Sequence, residues 1–150
     1  MKIFTLLLTF CLISTYVLAQ SNEEAAVKAP IQQFFDGMRQ SDSTMIKKTI
    51  LKGAYLERIV TDANGTRISS TPFDGFIKGV ASRPKGDLDE QLTSVELRID
   101  DNMATAWTPY KFYLKGKFSH CGVNTFRLVK TADGWKIWSV MDTNRKDNCK

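Results

Sequence analysis

Residues 107–142, WTPYKFYLKGKFSHCGVNTFRLVKTADGWKIWSVMD, decide the fold. Lys115-Gly116 and Asp133-Gly134 are two-residue hairpin signals, with Gly supplying the positive φ that a tight turn needs. They divide the stretch into three strands. Pairing Leu114 with Lys117 sets Tyr113 opposite Phe118, Lys111 opposite His120 and Trp107 opposite Asn124. Pairing Thr131 with Gly134 sets Leu128 opposite Ile137 and Phe126 opposite Ser139. Side chains alternate along a strand, so one face collects Trp107, Phe118, His120, Asn124, Phe126, Leu128, Trp135, Ile137 and Met141. The other collects Tyr110, Phe112, Cys121, Val123, Arg127, Trp138 and Asp142. The first face is apolar with a few polar groups set among the apolar ones, the composition of a core that opens into a ligand pocket. A slip of one residue in either turn would exchange the faces of a strand.

Upstream, the period changes from two to between three and four. Val27, Ile31, Phe34, Phe35 and Met38 form the stripe of a helix over 22–40, with Pro30 a candidate for the start of its packed part. Ser41 and Asp42 open a second helix through about Leu51, and Gly53 ends it. Ala54 to Thr61 reads as a strand, Asn64-Gly65 as a hairpin turn, and Arg67 to Ser70 as the returning strand. Asn64-Gly65-Thr66 also fits a glycosylation acceptor, which the turn explains without it. Phe73, Phe76, Ile77 and Val80 mark a third helix over 72–80. A polar loop over 83–89 leads to an alternating strand from Glu90 to Ile99, and Asp100-Asp101-Asn102 turns into a strand from Met103. Pro109 inside that strand predicts a bulge or bend. Helices first and a long antiparallel meander afterwards predict the α+β class.

The runs Tyr110-Lys111-Phe112-Tyr113, Ser119-His120-Cys121-Gly122, Phe126-Arg127-Leu128-Val129-Lys130 and Asp133-Gly134-Trp135-Lys136-Ile137 carry a family resemblance. The chain resembles the secreted branch of the nuclear transport factor 2-like superfamily, and within it the putative lumazine-binding group. The resemblance implies a cystatin-like cone with a pocket between helices and a curved sheet. It implies no single activity, since relatives include isomerases, dehydratases and polyketide cyclases.

Residues 1–19 read as a signal peptide. Lys2 is the positive start, residues 3–17 are nearly all apolar or hydroxylic, and Val17-Leu18-Ala19 fits a cleavage site. Cys11 lies inside it, and the bulky Phe10 before it argues against lipidation. Cleavage leaves residues 20–150 as one domain, long enough to bury about two-thirds of its unfolded surface. The formal charge of +5 falls to +4 with the loss of Lys2. These charges are scattered and match no nucleic-acid motif, so no nucleic-acid partner is expected, nor a membrane partner once the leader is removed. The expected location is outside the cytoplasm, periplasmic or secreted.

His120 is the single histidine. On the inward face it is a candidate general acid or base, or a ligand contact, against a structural role bonded to Ser119 or a backbone carbonyl. Trp107, Asn124 and Tyr55 are candidate ligand-lining residues, against plain core packing. Cys121 and Cys149 outlast cleavage, and in an exported chain two cysteines read first as a disulfide. Adjacent residues on a strand face opposite ways, which argues against a Cys121–His120 nucleophilic pair and against a metal site. No metal or cofactor is expected. Three readings stay open: a binding domain for a small, partly aromatic molecule, an isomerase or dehydratase in which His120 moves a proton, and an interaction domain whose pocket is simply core. No inward Asp or Glu falls on the placed strands, which favours binding. An outer face carrying Tyr110, Phe112, Val123 and Trp138 is a candidate homodimer surface.

Overall fold

The computed structural model describes residues 22–149. The expected leader, with Cys11, lies outside them. Helix α1 covers residues 22–40 and continues through Pro30. Its first turn is tied to the sheet, because Glu23 accepts from Lys130 Nζ at 2.9 Å and from Trp135 Nε1 at 2.8 Å. The stripe of Val27, Ile31, Phe34, Phe35 and Met38 is buried as its spacing predicts. Asp42 caps α2 (Ser43–Thr49), its Oδ1 accepting from the backbone N–H of Thr44 and Met45, both at 2.9 Å. That satisfies donors a helix start otherwise leaves unpaired.

Strand β1 (Ile50–Asp62) follows α2 directly, so it starts earlier than its apolar pattern suggests. It turns into β2 (Gly65–Pro72), and α3 (Phe73–Ala81) buries Phe73, Ile77 and Val80. The expected strand from Glu90 to Ile99 is two: β3 (Leu88–Leu92) and β4 (Glu96–Asp100). Both pair antiparallel with β5 (Met103–Leu114), β3 along residues 110–114 and β4 along 103–107. The break lies beside Pro109. Proline has no N–H to give a ladder, and its carbonyl accepts from Thr93 N at 2.9 Å. The bend expected at Pro109 is therefore expressed in the neighbouring edge.

Strands β6 (Lys117–Thr131) and β7 (Gly134–Asp142) complete a curved, mixed seven-stranded sheet in the order β2-β1-β7-β6-β5-β3, with β4 also on β5. The class is α+β. The sheet is antiparallel except at β1 and β7, which run parallel. Phe126 is fully buried beneath α1, with its ring 5.8 Å from Phe35 and 6.2 Å from Phe34, both edge-on.

Both hairpin turns hold the expected register next to the loop. Leu114 pairs with Lys117 and Tyr113 with Phe118; Thr131 pairs with Gly134 and Leu128 with Ile137. Each register then shifts. An irregularity between Phe112 and Tyr113 sets His120 opposite Phe112, not Lys111, and Asn124 opposite Thr108, not Trp107. A second, between Arg127 and Leu128, sets Ser139 opposite Arg127 and Val140 opposite Phe126. Ser119 and Trp138 are the extra residues. Past a bulge every following side chain changes face relative to simple alternation.

The expected outer patch of Tyr110, Phe112, Val123 and Trp138 does not form. Tyr110 and Phe112 lie on the concave face opposite Gly122 and His120, and Tyr110 is buried. The C-terminal segment covers this end of the sheet. Arg145 and Cys121 exchange two backbone hydrogen bonds at 2.9 Å, and Tyr110 Oη donates to the Thr143 carbonyl at 2.8 Å. A Cβ on Gly122 would fall 1.9 Å from the Thr143 oxygen, so only glycine fits. The Cys121–Cys149 disulfide, with Cα atoms 5.7 Å apart, fastens the segment.

Candidate functional site

A cavity of about 280 Å³ lies between the helices and the concave face. Its apolar wall is built from both layers. Phe34, Phe35 and Met38 come from α1, Phe76 from α3, and Leu56, Phe126 and Val140 from the sheet. Phe34 and Phe76 stack at 5.6 Å with their planes 12° apart, which presents aromatic surface rather than ring edges.

The opposite end is polar. Asn124 Nδ2 donates to Glu90 Oε1 at 2.7 Å. Arg58 grips Asp142 with two nitrogens, Nε at 2.9 Å from Oδ1 and Nη2 at 2.6 Å from Oδ2, a fork that fixes the carboxylate's plane. Ser69 and Thr71 of β2 add hydroxyls at the rim. Register explains the gathering. Arg58 pairs with Asp142 across β1 and β7, Asp142 with Asn124 across β7 and β6, and Arg58 with Ser69 across β1 and β2. The four residues form one row across the sheet, all pointing to the concave side.

Burial raises the Glu90 carboxyl to about 7, because a charge there loses hydration that Asn124's single hydrogen bond only partly replaces. The nearby Asp142 charge adds to the shift and Arg58 opposes it. Glu90 is therefore divided between protonated and ionised forms at neutral pH. Tyr110 is pushed well above the usual phenol range by burial first, then by the negative charges of Glu90 and Asp142.

The sequence-derived candidates separate. Asn124 lines the cavity, 5% exposed. Trp107 does not: it is 49% exposed on the convex face, because the Ser119 bulge gives its expected place to Thr108. Tyr55 is also on the convex face, its ring edge-on to Trp138 at 5.9 Å and its hydroxyl accepting from Arg127 Nη2 at 2.6 Å. His120 is on the concave face as expected, but outside the cavity wall. It lies 4.9 Å from the Phe112 ring and edge-on to Tyr110, with Nδ1 3.1 Å from Ser119 Oγ. Desolvation first, and Arg58 next, lower its pKa, so it is neutral at physiological pH.

Glu90, Arg58 and Asp142 were missed, and the expectation of no inward carboxylate is corrected by Glu90 and Asp142. One signal for Asp142 is in the sequence: Trp135 and Ile137 alternate, then Trp138 and Val140 are apolar out of step, which is how a bulge reads. Nothing comparable marks Glu90, which lies on the far side of a strand break.

A family model described as Putative lumazine-binding matches residues 22–141. The chain belongs to this family. It is a member of the NTF2-like superfamily, and solved structures show the same fold. An NTF2-like protein with a cystatin-like fold from Novosphingobium aromaticivorans superposes with a TM-score of 0.69 at 11% identity, covering 89% of each chain. An NTF2-like protein from Shewanella baltica gives 0.64 at 14% identity, over 85% of this chain and 97% of that one. A putative ketosteroid isomerase from Shewanella frigidimarina gives 0.57 at 17% identity, over 78% and 94%. No curated protein matches the chain. The matched span holds every cavity-lining residue except Asp142, which lies one position beyond it.

Proposed function

We propose that this protein is an exported binding domain for a small, partly aromatic molecule held in the cavity between α1, α3 and the sheet. The observation that carries the reading is the cavity's polarity: stacked phenyl rings on one side, and Asn124–Glu90 with Arg58–Asp142 on the other. A flat ligand would lie against the rings and turn its hydrogen-bonding edge to Asn124 and Glu90. The apolar start of the chain and the Cys121–Cys149 disulfide support export, since such bonds persist in oxidising compartments. A thermal-shift screen of flavin-like, pterin-like and steroid-like compounds tests it. A binder raises the melting temperature by mass action, and Asn124→Ala weakens that binder about tenfold, the worth of one buried hydrogen bond. The reading fails if no compound shifts the melt, or if binding ignores Asn124.

A second reading rests on Glu90 alone. A carboxyl near 7 that lines a cavity walled on one side by apolar rings is suited to take and return a proton, as isomerase or dehydratase chemistry requires. In that reading Glu90, not His120, is the acid–base residue, because Glu90 faces the cavity. Glu90→Gln would then abolish turnover of a bound compound while keeping its affinity, and His120→Ala would preserve both. Turnover lost with His120→Ala would return the role to the histidine.

A further inference from the structure

The tip of the β5–β6 hairpin belongs to neither the cavity nor the core. Residues 114–118 are all exposed, and two of them are large and apolar: Leu114 at 38% and Phe118 at 47%. They point to opposite sides of the ribbon. Leu114 pairs with Lys117 on one face, and Phe118 pairs with Tyr113 on the other, their rings 6.0 Å apart. Lys115 and Gly116 form the apex, both at positive φ. Lys146, from the fastened C-terminal segment, joins Leu114, Lys115, Lys117 and Phe118 around a shallow groove.

The charged side chains that line the groove have one sign: Lys115, Lys117 and Lys146. Residues 103–132 contain five Lys or Arg and no Asp or Glu. Among the described residues Lys115, Lys117 and Lys146 make no salt bridge. The acids around it are Asp87, whose backbone carbonyl accepts from Lys115 N at 2.8 Å, Asp147 beside Lys146, and Asp89, which pairs with Tyr113 and is already held by Arg39. Apolar side chains within a ring of unpaired lysines complement a surface that is negative outside and apolar just beneath.

We infer that the β5–β6 tip is a wedge that inserts Leu114 and Phe118 into the surface of an anionic lipid bilayer while the lysines around them bind the headgroups. Two features favour lipid over a protein partner. A flat protein surface can cover only one face of a ribbon, whereas a fluid interface surrounds both. The groove is also lined by only six residues, whereas a stable protein interface takes about 20–30 from each partner. The contact is peripheral and does not depend on what the cavity binds. It runs against the sequence expectation of no membrane partner once the leader is removed.

Co-sedimentation of the full chain with vesicles tests this. Vesicles of equal phosphatidylglycerol and phosphatidylcholine should bind the protein at low salt, and pure phosphatidylcholine at least tenfold more weakly. Each charge removed should weaken binding about fivefold. Lys115→Glu with Lys117→Glu should therefore abolish it, and Leu114→Ser with Phe118→Ser should weaken it tenfold or more at unchanged charge. Both pairs change exposed side chains, and a thermal melt checks that each variant folds. Failure to sediment with anionic vesicles at millimolar lipid would overturn the inference. So would equal binding to both vesicle types, or binding that is indifferent to the paired serine substitution, which would leave adsorption by charge without insertion.

Discussion

On the turn side of Trp138, Leu128 and Ile137 face each other fully buried in the core. Beyond Trp138, on the same strands and the same face of the sheet, Asn124 faces Asp142 and a cavity is left open. One half is sealed hydrocarbon; the other has a polar row. A single extra residue in β7 lies between them. It bends the strand and exchanges the faces of everything that follows, so Val140 and Asp142 come inward where plain alternation would have brought Ser139 and Met141. The site is thus not a hole left in a core. It begins where the ladder is deliberately interrupted.

The largest expected effect is on the sealed half. Leu128→Ala should cost about 2–5 kcal/mol in urea unfolding, since the side chain is fully buried and its surroundings can relax only partly. A loss under about 1 kcal/mol would mean that this half collapses as readily as the open one, and the contrast would disappear.

The open half should respond to pH instead. Glu90 holds its proton more tightly folded, near 7, than at its ordinary value of 4.5. Between those values the native state binds more protons than the unfolded one, so this residue makes stability fall as pH rises through the window. Its full contribution is at most about 3 kcal/mol, at 1.36 kcal/mol per pKa unit. Glu90→Gln removes the titration and keeps an oxygen for Asn124. The variant should be more stable than the parent at pH 8, with that advantage absent at pH 4. Parallel pH curves for the two proteins would show that Glu90 is not desolvated.

The smallest effect is expected outside both halves. Trp107→Ala on the convex face should change stability by no more than about 0.5 kcal/mol and leave ligand affinity unaltered. A drop in affinity would put Trp107 back in the site and overturn the register observed at Asn124.

Legibility followed distance from the turns. Gly116 and Gly134 announce their hairpins, and the pairs beside them were readable, as were the stripe of α1 and the cap at Asp42. The disulfide was legible from two cysteines read together with an expected export signal. What alternation could not supply was the position of an added residue, because period-two reasoning carries no memory of a bulge once passed. Trp107 and Asn124 were therefore placed on one face, and Asp142 on the wrong one. Glu90 was hidden differently: its strand stops at Leu92, so its side could not be counted from Val95, Leu97 and Ile99.

The parallel pairing of β1 with β7 bears on how the molecule is made. β7 is the last strand among the described residues, yet it sits between β1 and β6 and joins the first hairpin to the rest of the sheet. Until it emerges, the β1–β2 ribbon and the β3–β6 layer have no shared edge to zip together, and the Cys149 half of the covalent fastener emerges later still. Synthesis from the N-terminus therefore leaves these two parts of the sheet unjoined until β7 has been made. Joining the two parts is thus a late event in the life of the chain, set by where one strand falls in the order of the sheet.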